Sequence, residues 1–233
     1  MENEQINEAN APIVQKNKSL SVGNSIVIAG LLIAIAIIIV GGVGSNKTED
    51  TPSVEKVSIT KEDHIFGSKD AELVLVEYSD IDCPYCRILH PSIQKIKAEY
   101  GDKVAWVYRD FPLDNLHPEA RAKAVASECI AINEGEEAYF TYLNYLFANE
   151  VAEADLSVTA QTLGFNKTKF DNCIANGDGV ASVEADVFTG KAYGIQGTPF
   201  TILLEQSTGE MSPIRGAVPY EDLKALIDSK LVS

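Results

Sequence analysis

The fold of this chain is decided by the stretch Leu75-Val76-Glu77-Tyr78-Ser79-Asp80-Ile81-Asp82-Cys83-Pro84-Tyr85-Cys86. The continuous apolar run of residues 73–76 is typical of a strand that is buried on both faces. From Cys83 to about Tyr100 the apolar residues recur at helical spacing. The stretch therefore predicts a buried strand that leads directly into a helix, with two cysteines in the first helical turn.

Two cysteines in this arrangement indicate a redox site. Cys83 would face the unpaired N–H groups and the positive end of the helix dipole, which stabilise a thiolate and lower its pKa. Cys86 lies one turn deeper, and Pro84 occupies a position where no N–H is needed. One alternative is half of a zinc site, which would need a second close cysteine pair that the sequence lacks. The other is a purely structural disulfide, which would stabilise little because so short a loop hardly constrains the unfolded chain. We therefore predict a redox-active Cys83–Cys86 disulfide, no metal and no other cofactor.

The rest of the chain predicts a mixed α/β domain with a helical insert. Val104 to Tyr108 forms a second short apolar run, and the pattern is helical from Pro118 to about Gly194. A strand–helix–strand unit implies parallel strands. Further elements are predicted at Phe200 to Leu204 (strand), Met211 to Ala217 (edge strand, because it holds Pro213) and Tyr220 to Leu231 (helix).

Residues 75–86 resemble the active-site segment of the DsbA-like thiol-disulfide oxidoreductases of the thioredoxin superfamily. Gly197-Thr198-Pro199-Phe200 resembles the cis-proline loop of that superfamily. The helical insert, about residues 117–194, also resembles this branch. The resemblance covers nearly all of residues 60–233 and implies a thioredoxin-like α/β fold with an inserted helical domain.

The resemblance also implies roles for single residues. Cys83 would be the nucleophile and Cys86 its resolving partner. Pro199 would be a cis proline beside them, and Thr198 would hold an incoming peptide through its backbone. Pro84 and Tyr85, between the cysteines, would also contact the substrate.

Glu77 lies where this family often places a buried acid. A buried carboxyl there would have a raised pKa and could relay a proton to or from Cys86. The alternative is a half-exposed strand residue.

The direction of electron flow stays open at this stage. Pro84-Tyr85 supplies no charge to a thiolate, and the negative charges of Asp80 and Asp82 would oppose one. The preferred hypothesis is an extracytoplasmic oxidase that introduces disulfides into unfolded exported proteins. The alternatives are a reductase or isomerase kept reduced by a membrane electron donor, and a redox-silent peptide-binding chaperone module.

The other two cysteines, Cys129 and Cys173, are predicted to form a structural disulfide, since an even cysteine count in an oxidising compartment favours pairing. Two separate buried thiols are the alternative. The three histidines, 64, 90 and 117, share no ligand spacing. His90 could lie near the cysteines, but a histidine at such a position is more often an ordinary surface residue, and we assign it no role.

The N-terminal region predicts a membrane anchor. No charged residue occurs from Ser19 to Asn46, and residues 25–44 are long enough to cross a bilayer as a helix. We predict a cytoplasmic tail (1–24), a transmembrane helix (25–44), a linker (45–62) and an extracytoplasmic domain (63–233). A cleaved signal peptide is the alternative.

The net charge of the chain restricts the kinds of molecule that it can bind. The net charge of −15 argues against binding to nucleic acid, because phosphate recognition needs clustered Lys and Arg. We expect the protein to be a monomer that crosses the membrane once. The resemblance implies a quinone-linked thiol oxidase in the membrane as its redox partner.

Overall fold

The computed structural model describes residues 56–231. The predicted tail and the predicted membrane span at 25–44 lie outside these residues. Between residues 56 and 231 no helix is long and apolar enough to cross a membrane. The elements are β1 (His64–Phe66), β2 (Leu73–Ser79), α1 (Pro84–Tyr100), β3 (Val104–Asp110), α2 (Ala120–Glu134), α3 (Glu136–Ala148), α4 (Leu156–Thr162), α5 (Lys167–Asn176), α6 (Val180–Ala192), β4 (Phe200–Glu205), β5 (Met211–Arg215) and α7 (Tyr220–Leu231).

The five strands form one sheet in the order β1-β3-β2-β4-β5. The central strands β2 and β3 are parallel, as the strand–helix–strand pattern predicts, and the other pairings are antiparallel. β5 is an edge strand that contains Pro213, as expected, but it ends at Arg215 rather than Ala217. Gly216 follows with φ of 74°, a conformation that breaks the strand. The sequence analysis missed β1, which has only three residues.

The alternating side chains of β2 divide the core between the two faces of the sheet. Leu73 and Leu75 pack with α1, α7 and the helical insert. Val74, Val76 and Tyr78 pack on the opposite face. Helix α6 contributes Val187 to this second core. Glu77 lies on the same face as Leu75, so the strand directs its carboxyl toward α1 and the cysteines.

Helices α2 to α6 form the insert between β3 and β4. Its aromatic and leucine side chains, Tyr139, Tyr142, Leu143 and Leu146, are fully buried, so they form helical core. A disulfide between Cys129 of α2 and Cys173 of α5 closes a sequence separation of 44 residues. The insert is therefore cross-linked within itself and packed against the sheet.

Candidate functional site

The two remaining cysteines lie where β2 passes into α1. Cys83 is the residue before the helix, and its carbonyl accepts the Arg87 N–H at 3.1 Å. Both cysteines are free thiols in this structure. Cys83 is 3% exposed, whereas Cys86 is completely buried. The backbone therefore gives the first sulfur the better access to solvent.

The surroundings separate the two thiols chemically. The pKa of Cys83 is lowered, chiefly by a hydrogen bond from Cys86, and further by the Thr198 side chain and the backbone N–H groups of Cys86 and Tyr85. The pKa of Cys86 is raised, chiefly by burial, then by the bond to Cys83 and by the negative charge of Glu77. One sulfur is thus stabilised as a thiolate and the other as a thiol.

The loop before β4 lies against Cys83. The Thr198–Pro199 peptide bond is cis. The Cys83 Sγ–H donates to the backbone carbonyl of Thr198 at 3.5 Å, across 115 residues of sequence. The fold thus brings together the two segments that carry the family resemblance.

Glu77 is completely buried, so the half-exposed alternative does not describe its position. The Trp106 indole N–H donates to Glu77 Oε2 at 3.0 Å. The other oxygen, Oε1, has no partner in the described part of the chain. Burial raises the pKa of Glu77 to about 7, although the neighbouring Ser79 hydroxyl and Trp106 indole partly oppose the change. Such a carboxyl can hold or release a proton near neutral pH.

Asp80 does not face Cys83 as an uncompensated charge, contrary to our expectation. This buried carboxylate accepts the N–H groups of Asp82 and Leu113 at 2.8 and 2.7 Å. The His117 ring lies 2.9 Å from it through Nδ1. Asp80 therefore connects the segment before Cys83 to the segment that follows β3.

Asp82 is also compensated. The Lys123 ammonium donates to Asp82 Oδ1 at 2.6 Å, and the Arg87 guanidinium lies 3.5 Å from the same oxygen. Lys123 is only 5% exposed. This role was not predicted, because Lys123 and Asp82 lie 41 residues apart in sequence and only the fold brings them together. The two acids beside Cys83 oppose a thiolate less than their charges alone suggest.

His90 is a buried residue and not a surface one. The His90 ring is 4% exposed and stacks on Phe147 with 4.2 Å between ring centroids. Its Nε2 lies 2.9 Å from Asn144 Oδ1. Burial lowers the pKa of His90 to about 4, so it is uncharged at neutral pH. His90 joins α1 to α3 and carries no charge to the cysteines.

The surface around Cys83 combines apolar and charged side chains. Tyr85 and Ile88, one turn apart on α1, are 62% and 63% exposed. Leu116 is 71% exposed and lines a groove of about 490 Å³ together with Arg87 and Lys123. Exposed apolar groups of this size beside a reactive group are typical of binding surfaces.

Similarity to known proteins agrees with this arrangement. The family model described as thioredoxin matches residues 59–229, more than half of the chain. The chain belongs to the thioredoxin family. Its fold is similar to those of the following solved structures.

The catalytic domain of Proteus mirabilis ScsC has a TM-score of 0.63 at 22% identity and covers 75% of this chain and 92% of its own. Pseudomonas aeruginosa DsbA2 has a TM-score of 0.63 at 21% identity, and the match covers 74% of this chain and 96% of that protein. Wolbachia pipientis alpha-DsbA1 has a TM-score of 0.64 at 22% identity, with 76% and 94% covered. At these identities the likeness shows the thioredoxin-like fold with its helical insert.

Curated relatives of the thioredoxin domain include much longer proteins. The chain is 31% identical over 139 residues to Na(+)/H(+) antiporter NhaA 3 of Salinispora tropica, which is 59% of this chain and 21% of that protein. It is 33% identical over 156 residues to Na(+)/H(+) antiporter NhaA of Herminiimonas arsenicoxydans, with 66% and 24% covered. The chain therefore spans about a fifth to a quarter of these relatives, whose names describe the longer proteins.

Proposed function

We propose that this thioredoxin-family protein is a thiol-disulfide oxidoreductase that oxidises the thiols of exported proteins through Cys83 and Cys86. The observation that carries the proposal is the asymmetry of the two sulfurs, because one thiol has a lowered pKa and the other a raised pKa. Disulfide exchange needs one sulfur that attacks or leaves as a thiolate and one that is held back to resolve the intermediate.

In the oxidised protein, a substrate thiolate attacks Cys83 Sγ and breaks the Cys83–Cys86 bond. A mixed disulfide forms at Cys83, and Cys86 leaves as a thiolate. Neutral Glu77 protonates Cys86. The second thiolate of the substrate then attacks the substrate sulfur of the mixed disulfide and releases the Cys83 thiolate. Two electrons pass from the substrate to the protein, and the substrate leaves with a new disulfide.

The lowered pKa of Cys83 supports the oxidising direction. A stabilised Cys83 thiolate lowers the free energy of the reduced protein and makes Cys83 the better leaving group. Both effects favour transfer of the disulfide to the substrate. A reductase or isomerase would need the opposite balance, and the reduction potential distinguishes the two.

The substrate would be an extended, unfolded segment with free thiols. The contact of the Thr198 backbone with Cys83 supports pairing of such a segment there as an additional strand. Pro84 is exposed, and Tyr85 and Ile88 offer apolar surface beside it. Recognition through backbone and apolar contacts would accept many sequences.

We also propose that the domain acts outside the cytoplasm, anchored by residues 25–44. The Cys129–Cys173 disulfide supports an oxidising compartment. The charge-free stretch from Ser19 to Asn46 supports the anchor. A tether would keep the domain in the plane of a quinone-linked membrane oxidase and raise their effective concentration, with the domain itself monomeric.

A trapping experiment tests the exchange. Cys86→Ser, with Cys83 first converted to its disulfide with thionitrobenzoate, should exchange with a reduced, unfolded substrate that has a single free thiol. Thionitrobenzoate leaves, and the Cys83–substrate disulfide should accumulate because neither Cys86 nor a second substrate thiol can attack it. Cys83→Ser should form none, and Cys129→Ala/Cys173→Ala should exchange as the wild type does. Trapping by neither variant would contradict the proposal. If Cys83→Ser abolishes exchange yet leaves suppression of substrate aggregation unchanged, the chaperone function is the better description.

A further inference from the structure

A second group of ionisable side chains lies where the sheet meets the insert. One carboxylate oxygen from each of Asp110, Glu128 and Asp186 lies within 4.8 Å of the other two. We call these three residues the carboxylate cluster. They come from β3, α2 and α6, so three separate elements bring the acids together.

The cluster is poorly supplied with hydrogen-bond donors. Asp110 is 1% exposed, and its Oδ2 has no partner in the part of the chain that the structure describes. One oxygen of Asp186 accepts the Asp110 backbone N–H at 2.9 Å. A buried carboxylate oxygen with no donor costs free energy unless something else supplies the interaction.

Two tyrosine hydroxyls near the cluster also lack hydrogen-bond partners. The hydroxyls of Tyr108 and Tyr139 are buried and have no partner among the residues described. The Tyr139 ring stacks on His64 at 3.6 Å, and His64 Nε2 lies 3.1 Å from Glu128. Two further unpartnered oxygen atoms therefore belong to residues near the cluster, one on the same strand as Asp110 and one on the tyrosine that stacks against His64.

The charges around the cluster do not balance. The Arg109 guanidinium is bound to Asp63 at 2.7 and 3.0 Å. Both ring nitrogens of His64 are taken, by Glu128 and by Glu136 at 2.9 Å. No cationic side chain within residues 56–231 forms an ion pair with Asp110 or Asp186. Asp110 and Asp186 therefore form no ion pair of their own in this part of the chain, and the nearest cations, His64 and Arg109, are bound to other acids.

We propose that the carboxylate cluster binds one hard divalent cation, Ca²⁺ in the first instance. Carboxylate oxygens are the preferred ligands of such ions, and the three oxygens are close enough for a single ion to contact all of them. Ca²⁺ accepts six to eight oxygen ligands in flexible geometry, which suits three acids from independent elements. A bound ion would supply the missing positive charge and use the unpartnered oxygen of Asp110.

An ion could reach the cluster from solvent. A cavity of about 440 Å³ opens beside it and is lined by Thr60, Asp63, His64, Glu128 and Asp186, among others. The site would be structural, because it would join β3 to α2 and α6. Since neither redox cysteine belongs to the cluster, the proposal does not depend on the function proposed above.

Terbium luminescence and calorimetry on the full-length protein test the site. Tb³⁺ replaces Ca²⁺ and is sensitised by nearby tyrosines, here Tyr108 and Tyr139. We expect saturable luminescence that Ca²⁺ displaces, and a Ca²⁺-dependent rise in Tm. Asp186→Asn should weaken Ca²⁺ binding at least about tenfold, the lower bound seen even when outer partners of a metal are lost.

Glu184→Gln is the matched control, because it removes the same charge from an exposed position on the same helix. It should bind as the wild type does. Asp110→Asn provides a second test if Asp186→Asn does not fold. Absence of saturable Tb³⁺ luminescence in the wild type would overturn the proposal. So would equal Ca²⁺ affinity in Asp186→Asn and Glu184→Gln, since that result indicates general attraction to an acidic surface.

Discussion

The ammonium of Lys123, in the helical insert, donates a hydrogen bond to Asp82, the residue directly before the Cys83 nucleophile. Lys123 is buried, and Asp82 also lies near Arg87. The insert thus supplies positive charge to the edge of the cysteine pair. The contact places a positive charge beside the negative charge next to Cys83, whose lowered pKa comes chiefly from the hydrogen bond from Cys86.

Replacement of Lys123 by methionine should make Cys83 less reactive. Asp82 would keep its negative charge without its main partner, and a nearby negative charge disfavours a thiolate. We expect the midpoint of the alkylation profile against pH to rise, with a rate about threefold to tenfold lower at the wild-type midpoint. The unfolding free energy should fall by about 1–3 kcal/mol.

Lys167→Met is the control for that variant, because Lys167 forms a partly exposed ion pair with Asp171 on α5. It should leave the alkylation profile unchanged. An unchanged profile in Lys123→Met as well would show that Lys123 does not affect the nucleophile.

Glu77→Gln should change two properties that can be measured separately, the pH dependence of stability and the rate of disulfide exchange. The pKa of Glu77 is raised from about 4.5 to about 7, so between these values the folded state binds more protons than the unfolded state. Wild-type stability therefore falls as pH rises through that window, by up to about 3 kcal/mol from this group. Glutamine cannot ionise, so the variant should lack this loss and be more stable than the wild type at pH 8.

The same variant should slow the release of Cys86. Without a neutral carboxyl as proton donor, we expect exchange to fall about 100-fold, the low end of general acid catalysis. Denaturation at pH 4 and pH 8 and stopped-flow exchange measure the two effects. Glu72→Gln, at an exposed position before β2, should change neither. If the stability of Glu77→Gln depends on pH as that of the wild type does, other ionisable groups cause the dependence.

Removal of the Cys129–Cys173 disulfide should weaken the fold and spare the chemistry. The bond closes a separation of 44 residues, for which a loss of about 2–4 kcal/mol is expected. Urea denaturation of Cys129→Ala/Cys173→Ala measures this loss. The Cys83 alkylation profile of the variant should match the wild type below the unfolding transition. A shifted profile would mean that the insert disulfide acts on the redox site.

Gly190→Ala should destabilise the contact of α6 with the sheet. A Cβ at this position would lie 2.7 Å from the Phe111 ring and 3.0 Å from the Tyr78 ring. Overpacking of this kind costs about 1–3 kcal/mol. Gly197→Ala is a suitable comparison, because a Cβ there meets no atom within 4 Å among the described residues. Equal thermal stability of the two variants would contradict the packing argument.

The parts of this protein that sequence predicts well are those encoded locally. The apolar run before Cys83 and the helical spacing after it give β2 and α1, and Thr198-Pro199 before a short apolar run gives the loop and β4. The three-residue strand β1 is too short to show alternation. The burial of His90 was not predicted, because only the tertiary fold places it between Phe147 and Trp106.

The electrostatic environment of the site was not predictable in the same way. The partners of Asp82 and Asp80 are Lys123 and His117, which lie 41 and 37 residues away in sequence. Local sequence could therefore show the acids beside Cys83 but not the positive and polar groups that bind them.

The reduction potential of Cys83–Cys86 tests the central claim most directly. The protein would be equilibrated in glutathione buffers, in the Cys129→Ala/Cys173→Ala background so that one dithiol is observed. A stabilised Cys83 thiolate predicts an oxidising value, about −120 to −180 mV, as expected of a disulfide donor. A value of about −230 mV or lower would contradict the oxidase and favour a reductase or isomerase.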